Sequence, residues 1–306
     1  MLIKPKKHKI RLKKLLNEIQ PDVVIATGTS EKHFLPHLCI SSNPVFVREI
    51  HNTKSYRHAY TSKGLWDRCK ANVADIVDYG WKIKSYDHVV VLTKEDLESN
   101  WKGWSDVSYM YNPLTIKPSG VSTLESKKFI SAGRLMSVKN QEAQIRAWKK
   151  VVAKHPDWTL DIWGHGHKKP LQDELDRLGL QSSVFLKGHS YDIASEMQQC
   201  SGFLLTSLCE GFALVIVEAM ACGLPVVSYS CPCGPKDIIE HGVNGYLCDV
   251  NDEDKLAEYI NLLIENEEKR KEMGRAAIRR SADFDLMTIA RRWETLFEEL
   301  IKNKKS

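Results

Sequence analysis

The chain has 306 residues, 42% of them hydrophobic and 27% charged, with a net charge of +5. That length makes one large domain or two ordinary ones, and the balance is that of a globular chain with a core, which excludes fibrous and disordered classes. No apolar run approaches the ~18–20 residues that a spanning helix needs, and Met1–Lys14 lacks the apolar stretch of a secretory signal, so a cytoplasmic protein is expected.

Lys4, Lys6, Lys7, Lys9, Arg11, Lys13 and Lys14 crowd the start, and Lys302, Lys304 and Lys305 stand at the end. They read either as solvated faces or as a peripheral contact with the inner face of an anionic membrane. Nucleic acid is not expected, because no nucleic-acid motif accompanies the charge. Ile10–Ile19 is predicted as a helix ended by Pro21. Asp22–Ala26 and Val45–Arg48 are apolar strand runs, the second delivering His51 and Asn52. A long helix is predicted over 65–84. Asp87 leads the strand His88–Leu92, with Thr93 as the next N-cap. Val107–Tyr111 is a short strand.

The stretch from Pro113 to Lys127 is polar, rich in Ser and Thr, and reads as an interdomain linker. Beyond it the β–α rhythm is clear. Strands are predicted at Lys128–Ala132, Thr159–Trp163, Val184–Leu186, Gly202–Thr206 and Pro225–Ser228. Helices are predicted at Asn140–Lys154, Lys169–Leu178, Ala213–Cys222 and Leu286–Lys302. Apolar strands separated by helices call for parallel sheets covered on both faces. The expected division is 1–117, 118–285 and a C-terminal helix from 286 to 306 that packs back toward the first domain.

Glu218 is the only charge between Gly211 and Ser230, inside an apolar helix. A buried carboxylate needs hydrogen-bond donors, which either a buried Arg or Lys or the vicinal hydroxyls of a ribose supply. Glu210 precedes that helix at the carboxyl end of a strand, where open α/β sheets carry their sites. The helix start at Gly211, Phe212, Ala213 and Leu214 offers N–H groups to phosphate, which Glu210 repels and sugar hydroxyls suit. Gly133, Arg134 and Lys139 follow another strand, and two cations on one loop read either as solvated surface charges or as groups able to hold a diphosphate. Gly164-His-Gly166 is only a fragment of a dinucleotide fingerprint, and no P-loop is present. The eight cysteines contain no CxxC pair and read as free thiols rather than metal ligands.

Together these residues resemble the family 4 retaining glycosyltransferases. The resemblance spans Pro21 to Phe297. It rests on Ser131-Ala-Gly-Arg-Leu135 with Lys139-Asn140, the Glu-x7-Glu segment from Glu210 to Glu218, and Ala219-Met-Ala-Cys-Gly-Leu-Pro-Val-Val227. Gly234-Pro-Lys-Asp-Ile-Ile239 and Asn244-Gly-Tyr-Leu247 add to it. It implies the GT-B fold, an α/β architecture of two Rossmann-like domains with parallel sheets facing across a cleft.

It also implies roles. Arg134 and Lys139 bind the donor diphosphate, Glu210 contacts the transferred sugar, and Glu218 contacts the ribose. Phe212 to Leu214 lend N–H groups, Gly164 and His189 flank the base, and His51 approaches the sugar. No metal or cofactor is implied beyond the nucleotide-sugar. The Cys231-Pro-Cys-Gly-Pro235 variant is similar to bacterial transferases that build O-antigen, capsule or exopolysaccharide on saccharide or lipid-linked acceptors from UDP-galactose-type donors. The usual opening strand, Gly-rich loop and helix are not matched, which implies an incomplete N-terminal domain. The alternatives to an active transferase are a truncated, non-catalytic nucleotide-sugar-binding relative acting as a partner subunit, or an unrelated basic adaptor.

Overall fold

The computed structural model describes residues 5–28, 35–53 and 64–305. It divides into two compact units: unit 1 is Met1–Tyr111 with Ile289–Ser306, and unit 2 is Asn112–Thr288. In chain order the elements are α1 (Pro5–Ile19), β1 (Val23–Ala26), β2 (Val45–Ile50), α2 (Leu65–Asp75), β3 (His88–Val91), α3 (Lys94–Asn100) and β4 (Val107–Tyr109). Then follow β5 (Lys128–Ala132), α4 (Gln141–Val152), β6 (Thr159–Trp163), α5 (Lys168–Leu178), β7 (Val184–Gly188), α6 (Ile193–Gln198) and β8 (Gly202–Leu205). The remainder is α7 (Leu214–Ala221), β9 (Val226–Tyr229), α8 (Pro235–Ile238), β10 (Gly245–Cys248), α9 (Glu253–Glu265), α10 (Glu267–Ser281) and α11 (Leu286–Lys305).

Unit 1 holds a parallel sheet in the order β1-β2-β3-β4. Its inner strand β3 is buried along its whole length, as a strand covered on both faces is. Leu12 and Leu16 of α1 pack with Val24, Ala26 and Phe46. A second cluster joins Ile289, Trp293 and Leu296 of α11 to Val45, Val47 and Val90. Lys304 fastens α11 by donating to the Pro44 carbonyl at 2.7 Å and to Asp87 Oδ2 at 2.8 Å. Thr93 caps α3, its hydroxyl accepting from Asp96 N. The single helix expected over 65–84 ends at Asp75. Wider and tighter turns follow at Ile76–Trp81 and Lys82–Ser85, where β-branched Ile76 and Val77 and then Gly80 are weak helix formers.

Unit 2 holds a six-stranded parallel sheet in the order β10-β9-β8-β5-β6-β7. Its core gathers Phe129, Trp148, Leu160, Ile162 and Met273. The polar stretch after Pro113 is bonded down onto this unit. Ser122 Oγ donates to the Cys200 carbonyl, Ser201 Oγ donates to the Ser126 carbonyl, and Leu124 is buried. Among the described residues, no helix is long and apolar enough to cross a membrane.

Candidate functional site

In an open parallel sheet the order of strands reverses at one place, and the loops leaving the carboxyl ends on either side of it diverge to leave a crevice. In unit 2 the reversal lies between β5 and β8. The first crossovers run outward from β5 to β6 and β7, and the later ones run the other way through β8, β9 and β10. The loop after β5 carries Gly133, Arg134 and Lys139, and the segment after β8 carries Glu210 and leads into α7.

These two segments are strapped together. Lys139 Nζ stands 2.6 Å from Glu210 Oε1, with both side chains largely buried. Ser207 Oγ donates to the same carboxylate oxygen at 2.5 Å. Thr206 Oγ1 donates to the carbonyls of Lys139 at 3.2 Å and Asn140 at 2.8 Å, and Leu208 N donates to the Val138 carbonyl at 2.8 Å. The arrangement alters one electrostatic expectation. Glu210 is not a bare anion facing phosphate, because Lys139 neutralises it. An ammonium has three N–H donors, so Lys139 keeps donors beyond the one used on Glu210.

The backbone of Glu210 is pinned as well. Its N–H donates to the Pro232 carbonyl at 2.8 Å, and its carbonyl accepts from Cys233 N at 3.3 Å. Ala213, the N-cap of α7, adopts φ 66° and ψ 50°, a left-handed conformation that costs a residue with a Cβ of the order of 1–2 kcal/mol. Gly234, at φ +113°, lets the 231–234 turn back this loop, since a Cβ there falls 2.3 Å from the Phe212 carbonyl oxygen.

Glu218 lies a turn further along α7. It is half-buried, and its carboxyl has no hydrogen bond or ion pair to another side chain among the described residues. Burial therefore pushes its pKa up, with no partner to offset the cost. Of the two readings of a lone acid in an apolar helix, the one with a buried Arg or Lys partner finds no such partner among the described residues.

Arg134 is exposed, and its carbonyl accepts from Gln141 Nε2 at 3.1 Å. The close backbone approach lies at Gly164 rather than at Gly133. A Cβ on Gly133 meets nothing within 4 Å, whereas one on Gly164 falls 1.9 Å from the Gly133 carbonyl oxygen. Gly133 N donates to the Trp163 carbonyl at 3.0 Å, and Gly164 N to the Gly188 carbonyl at 2.6 Å. The loops after β5, β6 and β7 are thus stitched side by side. His189 follows Gly188 with its ring 5.9 Å from His165 and 5.0 Å from the fully exposed Tyr191.

His51 belongs to unit 1, where it follows β2. Its Nε2 lies 3.3 Å from Glu49 Oε2, and that hydrogen bond raises its pKa. Two residues along the chain, buried Thr53 donates to Asp96 Oδ1 at 2.9 Å, and Asn100 Nδ2 donates to the same oxygen at 2.6 Å. The cysteines at 200, 209, 222, 231, 233 and 248 are buried thiols outside any disulfide, whereas Cys39 and Cys69 are exposed. Among the described residues no group of three or more His, Cys, Asp or Glu side chains is disposed to hold a metal ion.

Ser207 and Thr206 were not singled out from the sequence. For Ser207 a signal existed. Ser207-Leu-Cys-Glu210 has the S-x-x-E spacing, which brings the two residues together across one turn of chain.

The model of the family described as "Glycosyl transferases group 1" matches residues 115–280. An uncharacterized glycosyltransferase of Haemophilus influenzae is 30% identical over 289 residues, covering 93% of this chain and 78% of the relative. The lipopolysaccharide 1,6-galactosyltransferase of Salmonella typhimurium is 26% identical over 275 residues, covering 86% of this chain and 71% of the relative. Among solved structures, HepE of Anabaena in complex with UDP has a TM-score of 0.77 at 23% identity, with 95% of this chain and 82% of that chain covered. TarM has a TM-score of 0.78 at 22% identity, and the chain spans 57% of its length. Two parallel α/β sheets matched in this way define the GT-B fold, and the chain belongs to the group 1 glycosyl transferases.

Proposed function

We propose that this chain is a retaining family 4 hexosyltransferase. It moves a hexose or N-acetylhexosamine from a UDP-linked donor, of UDP-galactose type, to a saccharide or lipid-linked acceptor in cell-surface polysaccharide synthesis. The observation that carries the reading is the Lys139–Glu210 pair at the strand-order reversal, on the segment leading to a half-buried Glu218 without a partner. Relatives that act on lipopolysaccharide and a similar structure that holds UDP support the donor and acceptor classes.

In this reading Arg134 and the spare donors of Lys139 hold the diphosphate, a role that makes a metal ion unnecessary. Stabilising the diphosphate as it leaves lowers the barrier, because the charge grows in the transition state. Glu210, already aimed by Ser207, accepts hydrogen bonds from hydroxyls of the transferred sugar. Glu218 accepts from the ribose hydroxyls, Gly164 and His189 flank the base, and N–H groups near Gly211 to Leu214 face phosphate or sugar. His51 is proposed to approach the transferred sugar. A peripheral contact with anionic lipid fits α1, where Lys7, Lys9, Arg11, Lys13 and Lys14 are exposed beside Ile10.

UDP should raise the Tm, and Lys139→Ala or Glu218→Ala should remove that rise. A donor-hydrolysis screen across UDP-, GDP- and ADP-sugars, read by mass spectrometry, should show turnover of a UDP-hexose. Absence of any thermal shift with every nucleotide and nucleotide-sugar overturns the proposal. Binding without turnover on any acceptor leaves the non-catalytic partner-subunit alternative.

A further inference from the structure

Phe284 lies outside every motif that carries the site. It ends the turn Ala282–Phe284 between α10 and α11, and its ring is fully buried. That ring meets the ring of Phe212 edge-on, with centroids 5.6 Å apart and planes at 60°. Phe212 sits between Gly211 and the left-handed Ala213, on the loop that carries Glu210. Both rings lie outside the core cluster built round Phe129 and Trp148.

The Phe284 ring is itself held. The Arg280 guanidinium carbon is 4.9 Å from its centroid. Arg280 Nε donates to the Ile238 carbonyl at 3.1 Å, Nη2 donates to the Asp237 carbonyl, and Nη1 pairs with Asp283 at 2.6 Å. Asp237 and Ile238 belong to α8, which starts directly after Gly234, the glycine that backs the Phe212 carbonyl. Phe212 is therefore supported twice, by the Gly234 backbone and by the Phe284 ring, and Arg280 ties the two supports together.

One further bond gives the cluster its significance. The Phe284 carbonyl accepts from Leu114 N at 2.8 Å. Leu114 follows the place where the chain enters unit 2 at Asn112, and Phe284 precedes the place where it leaves at Thr288. Both crossing segments are thus pinned at the residue whose ring supports the loop of Glu210.

We infer that Phe284, clamped by Arg280, is a positioning residue for the loop 210–213. The inference rests on the transferase reading for its kinetic readout but not for its structural one. Phe284→Leu keeps an apolar side chain of similar bulk but removes the edge-to-face contact. It should lower donor kcat/KM by about ten-fold, since a shift well under 1 Å at a sugar contact has effects of that order. UDP affinity should fall by less than kcat/KM does, because Glu218, Arg134 and Lys139 lie outside this loop. Arg280→Met should give a smaller fall of the same kind, and Arg280→Lys should restore part of it. The double variant Phe212→Leu with Phe284→Leu should be no worse than the worse single one, because the two act through one contact. A fluorine resonance from 4-fluorophenylalanine at position 212 should move in Arg280→Met, which keeps the Phe284 ring, with no donor present.

Unchanged kcat/KM with a lowered Tm, additive single effects and an unmoved fluorine resonance together overturn the inference and leave Phe284 as packing alone. If the unaltered protein turns over no donor, the transferase reading fails, and the fluorine experiment still decides this one. If Phe284→Leu does not fold, the pair Arg280→Met and Arg280→Lys carries the test.

Discussion

Glu210 and Glu218 are carried by one short segment and live in opposite circumstances. Glu210 has an ammonium at 2.6 Å, a hydroxyl at 2.5 Å and a backbone pinned on both sides. Glu218 has burial and no side-chain partner among the described residues. The difference separates a group fixed before any ligand arrives from one whose hydrogen bonds the ligand must supply. The first is held in place at the protein's own expense. The second is a standing penalty in the empty protein, relieved on binding.

The sharpest way to break the contrast is Lys139→Ala, which leaves Glu210 with the Ser207 hydroxyl and no cation. Turnover should fall about 10²–10³-fold, the range for losing one preorganised electrostatic contact. Stability should fall by about 2 kcal/mol, below the ~3–5 kcal/mol of a fully buried pair because both groups keep some solvent. Steady-state kinetics and denaturant titration check the two numbers.

Glu218→Gln tests the other half. A carboxyl whose folded pKa is raised opposes folding as it ionises. The stability of the empty protein therefore declines as pH rises from the ordinary carboxylate value through the raised one. The Gln variant should lack that decline, so its Tm advantage over the unaltered protein should grow with pH across this window. Donor affinity should fall about ten-fold, roughly the worth of one charge-assisted hydrogen bond. It should also lose its rise with pH, which calorimetry at several pH values measures. A higher Tm with undiminished affinity would detach Glu218 from the ligand.

Ser207→Ala removes one aim from Glu210 while keeping Lys139. Turnover should fall by a few-fold to about ten-fold, the worth of one hydrogen bond to a charged acceptor. Ala213→Gly is the mildest change. It should relieve the left-handed φ and raise stability by up to about 1 kcal/mol, less the entropy a glycine adds to the unfolded chain. Urea midpoints resolve a change of that size.

Much of this contrast was legible before any coordinates. The strands of unit 2 announced themselves as apolar runs, and Glu218 stood out as a lone charge in an apolar helix. What the sequence concealed was who bonds to whom. Nothing in Thr206 distinguishes it from any loop threonine until the fold brings Lys139 and Asn140 to its hydroxyl. The polar stretch after Pro113 has the composition of a free linker, yet its serines are used as hydrogen-bond donors to unit 2. Strand β10 and helices α9 and α10 were not assigned at all. Four residues of an edge strand give too short a period to read, and helices as charged as α10 show little apolar stripe. Phe284 carried no local signal, since its importance lies wholly in a contact with residue 212.

The packing of α11 bears on the order in which the molecule is built. Val45, Val47 and Val90 are covered by side chains that the ribosome makes only after the whole of unit 2. A nascent chain that has emerged as far as Thr288 has every strand of the unit 1 sheet and still shows this valine face to the cell. Unit 2, made without interruption, has all its parts earlier. A chaperone that recognises apolar surface should therefore find its target on unit 1, and release it when Trp293 and Leu296 arrive.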